Sequence, residues 1–215
     1  MSIRIIALRY EEPYYADTLE CIWGSGLPVT YADRQGVGNF SKAMNEAAMQ
    51  PHQEEFLWFL TDVTFDPKTP LRLAENMGKH NLWALHPAHQ SDHQSHIPDG
   101  SGEVKYVPYI EWTAPMVRTS LFHELGGLDE NHHYWYQDLL FSKQLRDRGL
   151  YMGVDHGNPV GHIYRRNELV HEITKQRYDL RLKRDIIERE LLRKRFGPRW
   201  RSVLWHQQRI NFFWM

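Results

Sequence analysis

Short apolar runs alternate with helix-like segments along the first 85 residues. The runs are bounded by polar or glycine-containing turns, which predicts buried strands. The predicted strands are 3–8, 28–32, 55–60 and 82–85, and the predicted helices between them are 17–23, 40–49 and 70–77. This alternation is typical of an α/β sheet whose strands are mostly parallel. Such a sheet forms a ligand crevice at the carboxyl ends of its strands, and Asp33 and Asp62 come just past two of these ends.

The second half of the chain is less regular. Residues 86–105 are polar, contain two prolines and end near Gly100-Ser101-Gly102, which predicts a long loop. Strand-like segments are predicted at 106–117, 151–154 and 159–163, and helices at 120–125, 136–148 and 180–196. Gly149 and Gly197 follow two of these helices and are expected to end them.

The composition is that of a folded protein with one compact domain. The chain has 215 residues, 41% of them hydrophobic, with 8 Trp, 11 Tyr and 9 Phe, which argues against intrinsic disorder. No apolar run approaches the roughly 18 residues that span a bilayer. We expect no signal peptide, because a basic leader and a small-residue cleavage site are missing. Cys21 is the single cysteine, which excludes a disulfide framework and indicates a reducing, cytoplasmic setting.

The net charge of −1 hides an asymmetry. Residues 1–162 contain 12 Lys or Arg and 21 Asp or Glu, a net of −9, whereas residues 163–215 contain 14 and 6, a net of +8. An acidic body joined to a basic tail points to a polyanionic partner or a membrane surface. We predict an α/β domain over residues 1–165 and a basic helical extension over 166–215 that packs on it.

Two aspartates occupy positions that suit metal binding or catalysis. Asp62 follows a buried strand, a position suited to a divalent cation that neutralises a diphosphate. Asp138 opens an amphipathic helix among aromatic residues, a position suited to a base that takes a proton from an acceptor hydroxyl. Both residues also suit structural roles, because aspartate is common in turns after strands and in the first turn of helices.

Several segments form a wider pattern. The most specific is Gly126-Gly127-Leu128-Asp129-Glu130, followed by Asp138 and by Arg146-Asp147-Arg148-Gly149. The remaining parts are the strand 3–8, Asp33, the segment Lys42-Ala43-Met44-Asn45-Glu46-Ala47-Ala48, Thr61-Asp62 and His162. Over residues 3–165, about three quarters of the chain, this pattern resembles the family 2-type glycosyltransferases. The resemblance implies the GT-A fold, a Rossmann-like, mostly parallel central sheet flanked by helices, here with a basic C-terminal helical extension.

The resemblance also implies a reaction, the transfer of a sugar from a nucleotide-sugar to an acceptor hydroxyl. A UDP-sugar is the expected donor. By position, Asp33 and Asn45 would contact the donor, and Asp62 would bind the donor and ligate Mn²⁺ or Mg²⁺. His162 would be a second contact to the metal or the diphosphate, although a histidine at a strand end also suits a structural role.

The acceptor side of the implied site centres on Asp138, which would be the catalytic base of an inverting displacement. We expect the acceptor to contact Trp112, Tyr136, Gln137 and Arg165. The 1–165 unit would then be the catalytic domain.

The sequence departs from the family pattern at two places. Leu60 and Thr61 stand where another acid usually precedes the metal-binding one, which bears on metal affinity. Gln137 stands where an acid often precedes the base, so a second carboxylate near the acceptor is missing.

A histidine-rich stretch follows the fourth predicted strand. His86, His89, His93 and His96, with Asp92 among them, have side chains that suit Zn²⁺, Cu²⁺ or Ni²⁺. A flexible polar loop beside the cleft is the favoured interpretation, because proline and glycine surround these residues.

The basic tail allows three interpretations. Arg193-Lys194-Arg195, Arg199 and Arg201 are interleaved with or followed by Trp200, Trp205 and Phe212-Phe213-Trp214. The segment could pack on the acidic body, bind a polyanionic acceptor through phosphates and bases, or lie on a membrane. We favour packing for the aromatic residues and a polyanion for the charges, because Gly197-Pro198 interrupts any long amphipathic face.

The length of the chain and its basic tail narrow the choice of acceptor class. Some small GT-A-like enzymes are virus-encoded and glycosylate modified bases in DNA, and a basic tail suits a DNA acceptor that carries hydroxymethylated bases. Such a virus-encoded enzyme would work in the host cytoplasm. The alternatives are a glycosyltransferase of glycan or polysaccharide assembly and a non-catalytic nucleic-acid-binding module.

Overall fold

The protein forms one sheet that carries helices on both faces. The computed structural model describes residues 1–9, 15–33, 39–51, 53–90, 96–133, 136–162 and 185–205. The strands are β1 Ile3–Arg9, β2 Val29–Asp33, β3 Phe56–Leu60, β4 Val63–Thr64, β5 Ala84–His89, β6 Val104–Tyr106, β7 Met116–Arg118 and β8 Met152–His162. The helices are α1 Ala16–Ser25, α2 Phe40–Ala48, α3 Thr69–Lys79, α4 Thr119–Glu124, α5 Gln137–Asp147, α6 over residues 185–196 and α7 Trp200–Trp205.

The strand order is β2-β1-β3-β7-β5-β8-β4, and β6 also pairs with β8. β1 is parallel to β2 and β3, and β5 is parallel to β8, whereas β7 lies antiparallel between β3 and β5. It follows that β1, β2, β3, β5 and β8 all run in one direction. The prediction of a mostly parallel α/β sheet is confirmed.

Side chains of the central strands alternate between two apolar layers. In β3, Leu57 and Phe59 belong to the layer under α2, α4 and α5, whereas Phe56, Trp58 and Leu60 belong to the layer under α1 and α3. Because helices cover both faces, every residue of β3 is buried. This explains its uninterrupted apolar sequence, which is typical of a parallel strand covered on both sides.

Three segments differ from the sequence-based prediction. β5 continues through His89, where a loop was predicted, because it keeps its parallel pairing with β8. Residues 152–162 form one strand rather than two, since β8 pairs with β5 and β6 along its length. Residues 107–115 are irregular, with β6 and β7 only three residues long at either side of them.

The C-terminal helices contact α5. Leu192, Trp200 and Leu204 form an apolar cluster with Leu139 and Leu140 of α5. The predicted boundary near residue 165 lies outside the described residues. Within the described ranges, none of the helices has the length and apolar character needed to cross a bilayer.

Candidate functional site

A glycine turn packs the chain after α4 against α2. Gly126 and Gly127 have left-handed φ angles of 74° and 79°, a conformation that favours glycine. A side-chain carbon added to Gly127 would clash with Asn45 Oδ1. Asn45 Oδ1 accepts the Leu128 N–H at 2.8 Å, and its Nδ2 donates to the Leu128 carbonyl at 2.8 Å and to Glu130 Oε1 at 3.0 Å. The Gly-Gly motif therefore allows the close approach on which these hydrogen bonds depend.

Asp138 is the second residue of α5. It keeps part of its surface accessible, while protein atoms closely surround its carboxyl group. Burial, with a smaller contribution from the charge of Glu111, raises the pKa of Asp138 to about 7, against the opposing effect of a 2.8 Å hydrogen bond from the Leu139 N–H. A carboxyl group with a pKa near neutrality is suited to accept the proton of a hydroxyl group.

Tyr136, which precedes α5, adopts a left-handed φ of 68° that is unfavourable for a non-glycine residue. Its hydroxyl donates to Asp185 Oδ1 at 2.7 Å and accepts from Arg189 Nε at 3.0 Å. Its ring packs edge-on against Trp200, with 5.3 Å between the ring centroids. The start of α5 is thus held by α6 and α7, and the predicted contact between Tyr136 and an acceptor stays a prediction.

Residues 110–113 link the end of β3 with the start of α5. The Thr113 carbonyl accepts hydrogen bonds from the backbone N–H and the hydroxyl of the threonine in Thr61-Asp62, at 3.0 and 3.2 Å. Glu111, two residues earlier, lies near enough to Asp138 for its charge to raise the pKa of that carboxyl group. The predicted metal-binding and base residues therefore both border this segment.

The pairing of β4 with β8 relates the two predicted metal ligands. Val63, the residue after Asp62, pairs with His162 in antiparallel register. Asp62 is half-buried. Burial raises the pKa of Tyr15, and the negative charges of Tyr31 and Asp62 add to this effect. The side chain of His162 lies outside the described part of the structure. An aspartate at this position fits Mg²⁺ or Mn²⁺, whose remaining positions water and phosphate oxygens can fill.

The other two predicted donor contacts have different surroundings. Asp33 is the last residue of β2, pairs with Arg9 of β1 and is exposed at the carboxyl end of the sheet. The Asn45 amide hydrogen bonds with Leu128 and Glu130, as described above, and so positions the glycine turn. A donor contact by Asn45 stays a prediction.

The predicted acceptor residues that the structure describes lie at or against α5. Trp112 is 4% exposed and lies in the core, with its ring centroid 5.1 Å from Phe59 and 4.6 Å from Phe141. Its indole N–H has no hydrogen-bond partner among the described residues, and an acceptor contact by Trp112 stays a prediction. Gln137 is buried, and its Oε1 also lacks a partner within the described ranges. Arg165 lies outside the described residues.

A second polar group lies inside the sheet. His86 and His89 are fully buried on β5, and Glu111 is 9% exposed. His89 Nε2 is 3.1 Å from His86 Nε2 and 3.6 Å from Glu111 Oε2. The prediction of a flexible loop is therefore wrong for His86 and His89. The sequence analysis did not identify Glu111 as a candidate ligand. The feature that could have indicated it is a single acidic residue within the apolar run 109–112.

The comparison with solved structures identifies the fold. The sequence matches no protein-family model and no curated protein. TarS 1–349 from S. aureus in complex with UDP matches with a TM-score of 0.58 at 15% identity, covering 75% of this chain and 60% of that chain. GalNAc-T7 with UDP, GalNAc and Mn²⁺ matches with a TM-score of 0.57 at 10% identity, covering 75% of this chain and 43% of that chain. Both are GT-A glycosyltransferases, and the likeness shows that this chain, which spans less than two thirds of either, has the GT-A fold.

Proposed function

We propose that the protein is a metal-dependent glycosyltransferase that transfers a sugar from a UDP-sugar to an acceptor hydroxyl. The observation that carries this proposal is the position of residues 110–113, which hydrogen bond to Thr61 on one side and to Ser142, one turn after Asp138 in α5, on the other. A displacement at a sugar carbon needs a diphosphate site and a base near each other. The bound UDP in TarS and in GalNAc-T7 supports a uridine nucleotide as the donor.

On the donor side, the edge formed by the ends of β2 and β3 would hold the nucleotide. Asp33 and Asp62 stand at these strand ends. Asp62 and His162 would hold Mn²⁺ or Mg²⁺, which is supported by the register that pairs Val63 with His162. When bound, such an ion offsets the negative charge that develops on a departing diphosphate.

On the acceptor side, Asp138 is the base. The acceptor hydroxyl oxygen forms a bond to the anomeric carbon of the donor while its proton passes to the Asp138 carboxylate. The bond between that carbon and the diphosphate oxygen breaks, and the nucleoside diphosphate leaves with the bonding electrons. A single in-line step of this kind inverts the anomeric configuration. The raised pKa of Asp138 makes its carboxylate a stronger base than an ordinary aspartate.

The acceptor in this proposal is DNA that carries hydroxymethylated bases. Its support is the net charge of +8 over residues 163–215. In the described part of this region, Lys194, Arg199 and Arg201 are exposed. Exposed cations of this kind can neutralise backbone phosphates. A glycan acceptor is the alternative that the experiment below separates.

The experiment incubates the full chain with Mn²⁺ and a panel of nucleotide-sugars and measures nucleoside diphosphate release without an acceptor, with hydroxymethylated DNA and with glycan acceptors. Asp138→Asn is compared with Asp147→Asn, a matched change at the exposed end of the same helix. We expect Asp138→Asn to lower transfer by at least about 100-fold, the usual effect of losing a general base, and Asp147→Asn to leave it near wild type.

Three outcomes contradict parts of the proposal. If no donor is hydrolysed or transferred, and Asp138→Asn leaves DNA binding unchanged, the protein is a binding module rather than an enzyme. Transfer to glycans but never to DNA excludes the DNA acceptor and keeps the glycosyltransferase. Equal losses in Asp138→Asn and Asp147→Asn exclude Asp138 as the base.

A further inference from the structure

We propose that His86, His89 and Glu111 form a binding site for a divalent transition-metal ion, with Zn²⁺ as the preferred ion. This site is distinct from the metal position at Asp62. The inference does not depend on the glycosyltransferase proposal, because it rests only on the positions and chemistry of these three side chains.

The first argument is geometric. One ligand atom from each residue lies within 4.8 Å of the other two, a cluster found among the described residues. Two of the three separations are 3.1 Å, between the Nε2 atoms of His86 and His89, and 3.6 Å, from His89 Nε2 to Glu111 Oε2. Ligands about 2.05 Å from a tetrahedral zinc ion are roughly 3.3 Å apart. These two separations are therefore close to those between ligands of a zinc site.

The second argument is the irregular pairing of β5 with β8. Residues three apart on a regular strand point to opposite faces of the sheet, so His86 and His89 would normally diverge. Between Pro87 and His89, a step of two residues along β5 corresponds to a step of five along β8, from Asp155 to Val160. The extra residues therefore lie in β8, and the regular alternation of side chains is interrupted at this point of the sheet. The two imidazoles converge there, and Glu111 joins them from the neighbouring segment.

The third argument is that the cluster holds a carboxylate, that of Glu111, in a buried position. Both histidines are fully buried, and Glu111 is nearly so. All three residues also interact with other groups of the protein. A divalent ion bound by Glu111 and two neutral imidazoles would add a positive charge directly beside the buried carboxylate, which favours its ionised form.

The chemistry of the ligands selects the ion. Two imidazoles and one carboxylate suit Zn²⁺, Fe²⁺ or Ni²⁺, whereas an aspartate with water and phosphate oxygens suits Mg²⁺ or Mn²⁺. The two sites would therefore take different ions. Because Glu111 lies in the segment that borders Thr61-Asp62 and Asp138, an ion at His86 and His89 would tie this segment to β5 and stabilise it.

His96 is the nearest candidate for a fourth ligand. Its ring centroid lies 6.0 Å from that of His86, and its Nε2 is buried without a hydrogen-bond partner among the described residues. Zinc usually has four ligands, of which water can be one. The other two residues of the predicted histidine-rich stretch that could coordinate, Asp92 and His93, lie outside the described ranges.

A metal-free arrangement of the same atoms is the competing explanation. The contact between the two Nε2 atoms could be a hydrogen bond if one of them carries a proton, and His89 could then face Glu111 as an imidazolium. In this explanation a proton, rather than a metal ion, joins the side chains. A measurement of metal binding therefore distinguishes the two explanations.

The experiment uses untagged full-length protein that has been stripped with chelator and then titrated with Co²⁺, a coloured substitute for Zn²⁺. Wild type, Asp62→Ala, Glu111→Gln, His89→Asn and His80→Ala are compared by visible absorption, and X-ray absorption identifies imidazole ligands in wild type and Asp62→Ala. His80 is a histidine at the end of α3 and serves as the control. No donor or acceptor is present, so the result is independent of transferase activity.

We expect imidazole-ligated Co²⁺ at one equivalent in wild type, Asp62→Ala and His80→Ala, with Zn²⁺ displacing it. Glu111→Gln should weaken Co²⁺ binding by more than about tenfold, since it removes a direct ligand. The proposal is overturned if wild type shows no imidazole-ligated Co²⁺, or if the signal persists in folded Glu111→Gln and His89→Asn. If these variants do not fold, the ligand identification in Asp62→Ala decides, because loss of the signal there places the ion at Asp62.

Discussion

Asn45 and Leu128 form hydrogen bonds in both directions, since the Leu128 N–H donates to Asn45 Oδ1 and the Asn45 amide donates to the Leu128 carbonyl, each at 2.8 Å. The two residues are 83 positions apart in the chain. This reciprocal pair joins the middle of α2 to the turn that leads towards Asp138. It explains why the segment needs glycine at position 127, where the Asn45 amide lies directly against the backbone.

The first prediction concerns the glycine turn. Both Gly126 and Gly127 have positive φ, but a side-chain carbon at Gly126 would meet nothing within 4 Å, whereas at Gly127 it would meet Asn45. Gly126→Ala should therefore lose only about 1–2 kcal/mol of unfolding free energy from backbone strain. Gly127→Ala should lose about 1–3 kcal/mol more, because the clash displaces the Asn45 amide. Urea unfolding measures both, and equal losses would contradict the close approach.

The second prediction concerns the pH dependence of stability at Asp138. Its pKa is about 7 in the folded protein and roughly 3.9 in the unfolded chain, so the folded state favours the protonated form. The stability that this preference contributes is fully present below about pH 4 and is lost as the pH rises through 7. Asp138→Asn, which cannot ionise, should match wild type near pH 4 and be more stable by about 2–4 kcal/mol above pH 7.

Thermal unfolding from pH 4 to 8 in the presence of chelator tests this behaviour, with Asp147→Asn as the control. A constant difference between Asp138→Asn and wild type over this range would contradict the raised pKa. Under the proposed mechanism, transfer by wild type should rise with pH towards 7, where the carboxylate forms and stability declines. Activity and stability should thus change in opposite directions over the same interval.

The third prediction concerns Asp62. Asp62→Ala should weaken Mn²⁺-dependent binding of UDP by tenfold or more and leave the melting temperature nearly unchanged, because the carboxylate would serve the metal rather than the core. Calorimetric titration measures the affinity, and Asp17→Ala, a change at an exposed residue in the first turn of α1, is the matched control. Parallel losses of melting temperature and UDP affinity would argue for a structural role.

The fourth prediction concerns the basic tail. Replacing Arg193, Lys194 and Arg195 with alanine should reduce the salt dependence of DNA binding, with a slope that falls by about 0.9 for each phosphate contact removed. Arg195 forms a 2.6 Å ion pair with Asp129, so part of its charge serves the body of the protein and the change should be smaller than three full contacts. An unchanged slope would leave the tail with a packing role only.

A matched control for this prediction removes three charges from another surface. Lys68, Arg72 and Lys79 are exposed at and along α3. Their replacement with alanine changes the net charge by the same amount. If it changes the salt slope equally, the effect reflects net charge rather than contacts made by α6.

The basic tail shows what local sequence patterns can predict and what they cannot. Packing was the favoured interpretation of its aromatic residues, and Trp200 is indeed 4% exposed in a cluster with Leu139 and Leu140. The sequence could predict that Trp200 packs on apolar surface, because indole rings are highly buried on average, although Trp23 is 67% exposed. It could not predict that Trp200 packs against Tyr136, because that contact depends on how α7 meets the start of α5.

The sequence by itself determined the local features of this protein. The apolar run at 56–60 gives a strand buried on both faces, the Gly126-Gly127 pair gives a left-handed turn, and Asp138 stands at the start of an amphipathic helix. Hydrophobic periodicity and the positions of glycines predict these features, because each depends on the burial or the backbone conformation of neighbouring residues in the sequence.

Only the tertiary structure decided which distant side chains meet. The sheet brings the imidazoles of His86 and His89 together, and the path of residues 110–113 brings Glu111 to them and Ile110 to α5. A shift of one residue in register reverses the direction of every following side chain, and nothing in the local sequence of 84–89 fixes that register. The physical reason is that register follows from the packing of the whole sheet, so the histidines resembled a polar loop until their partner strands were known.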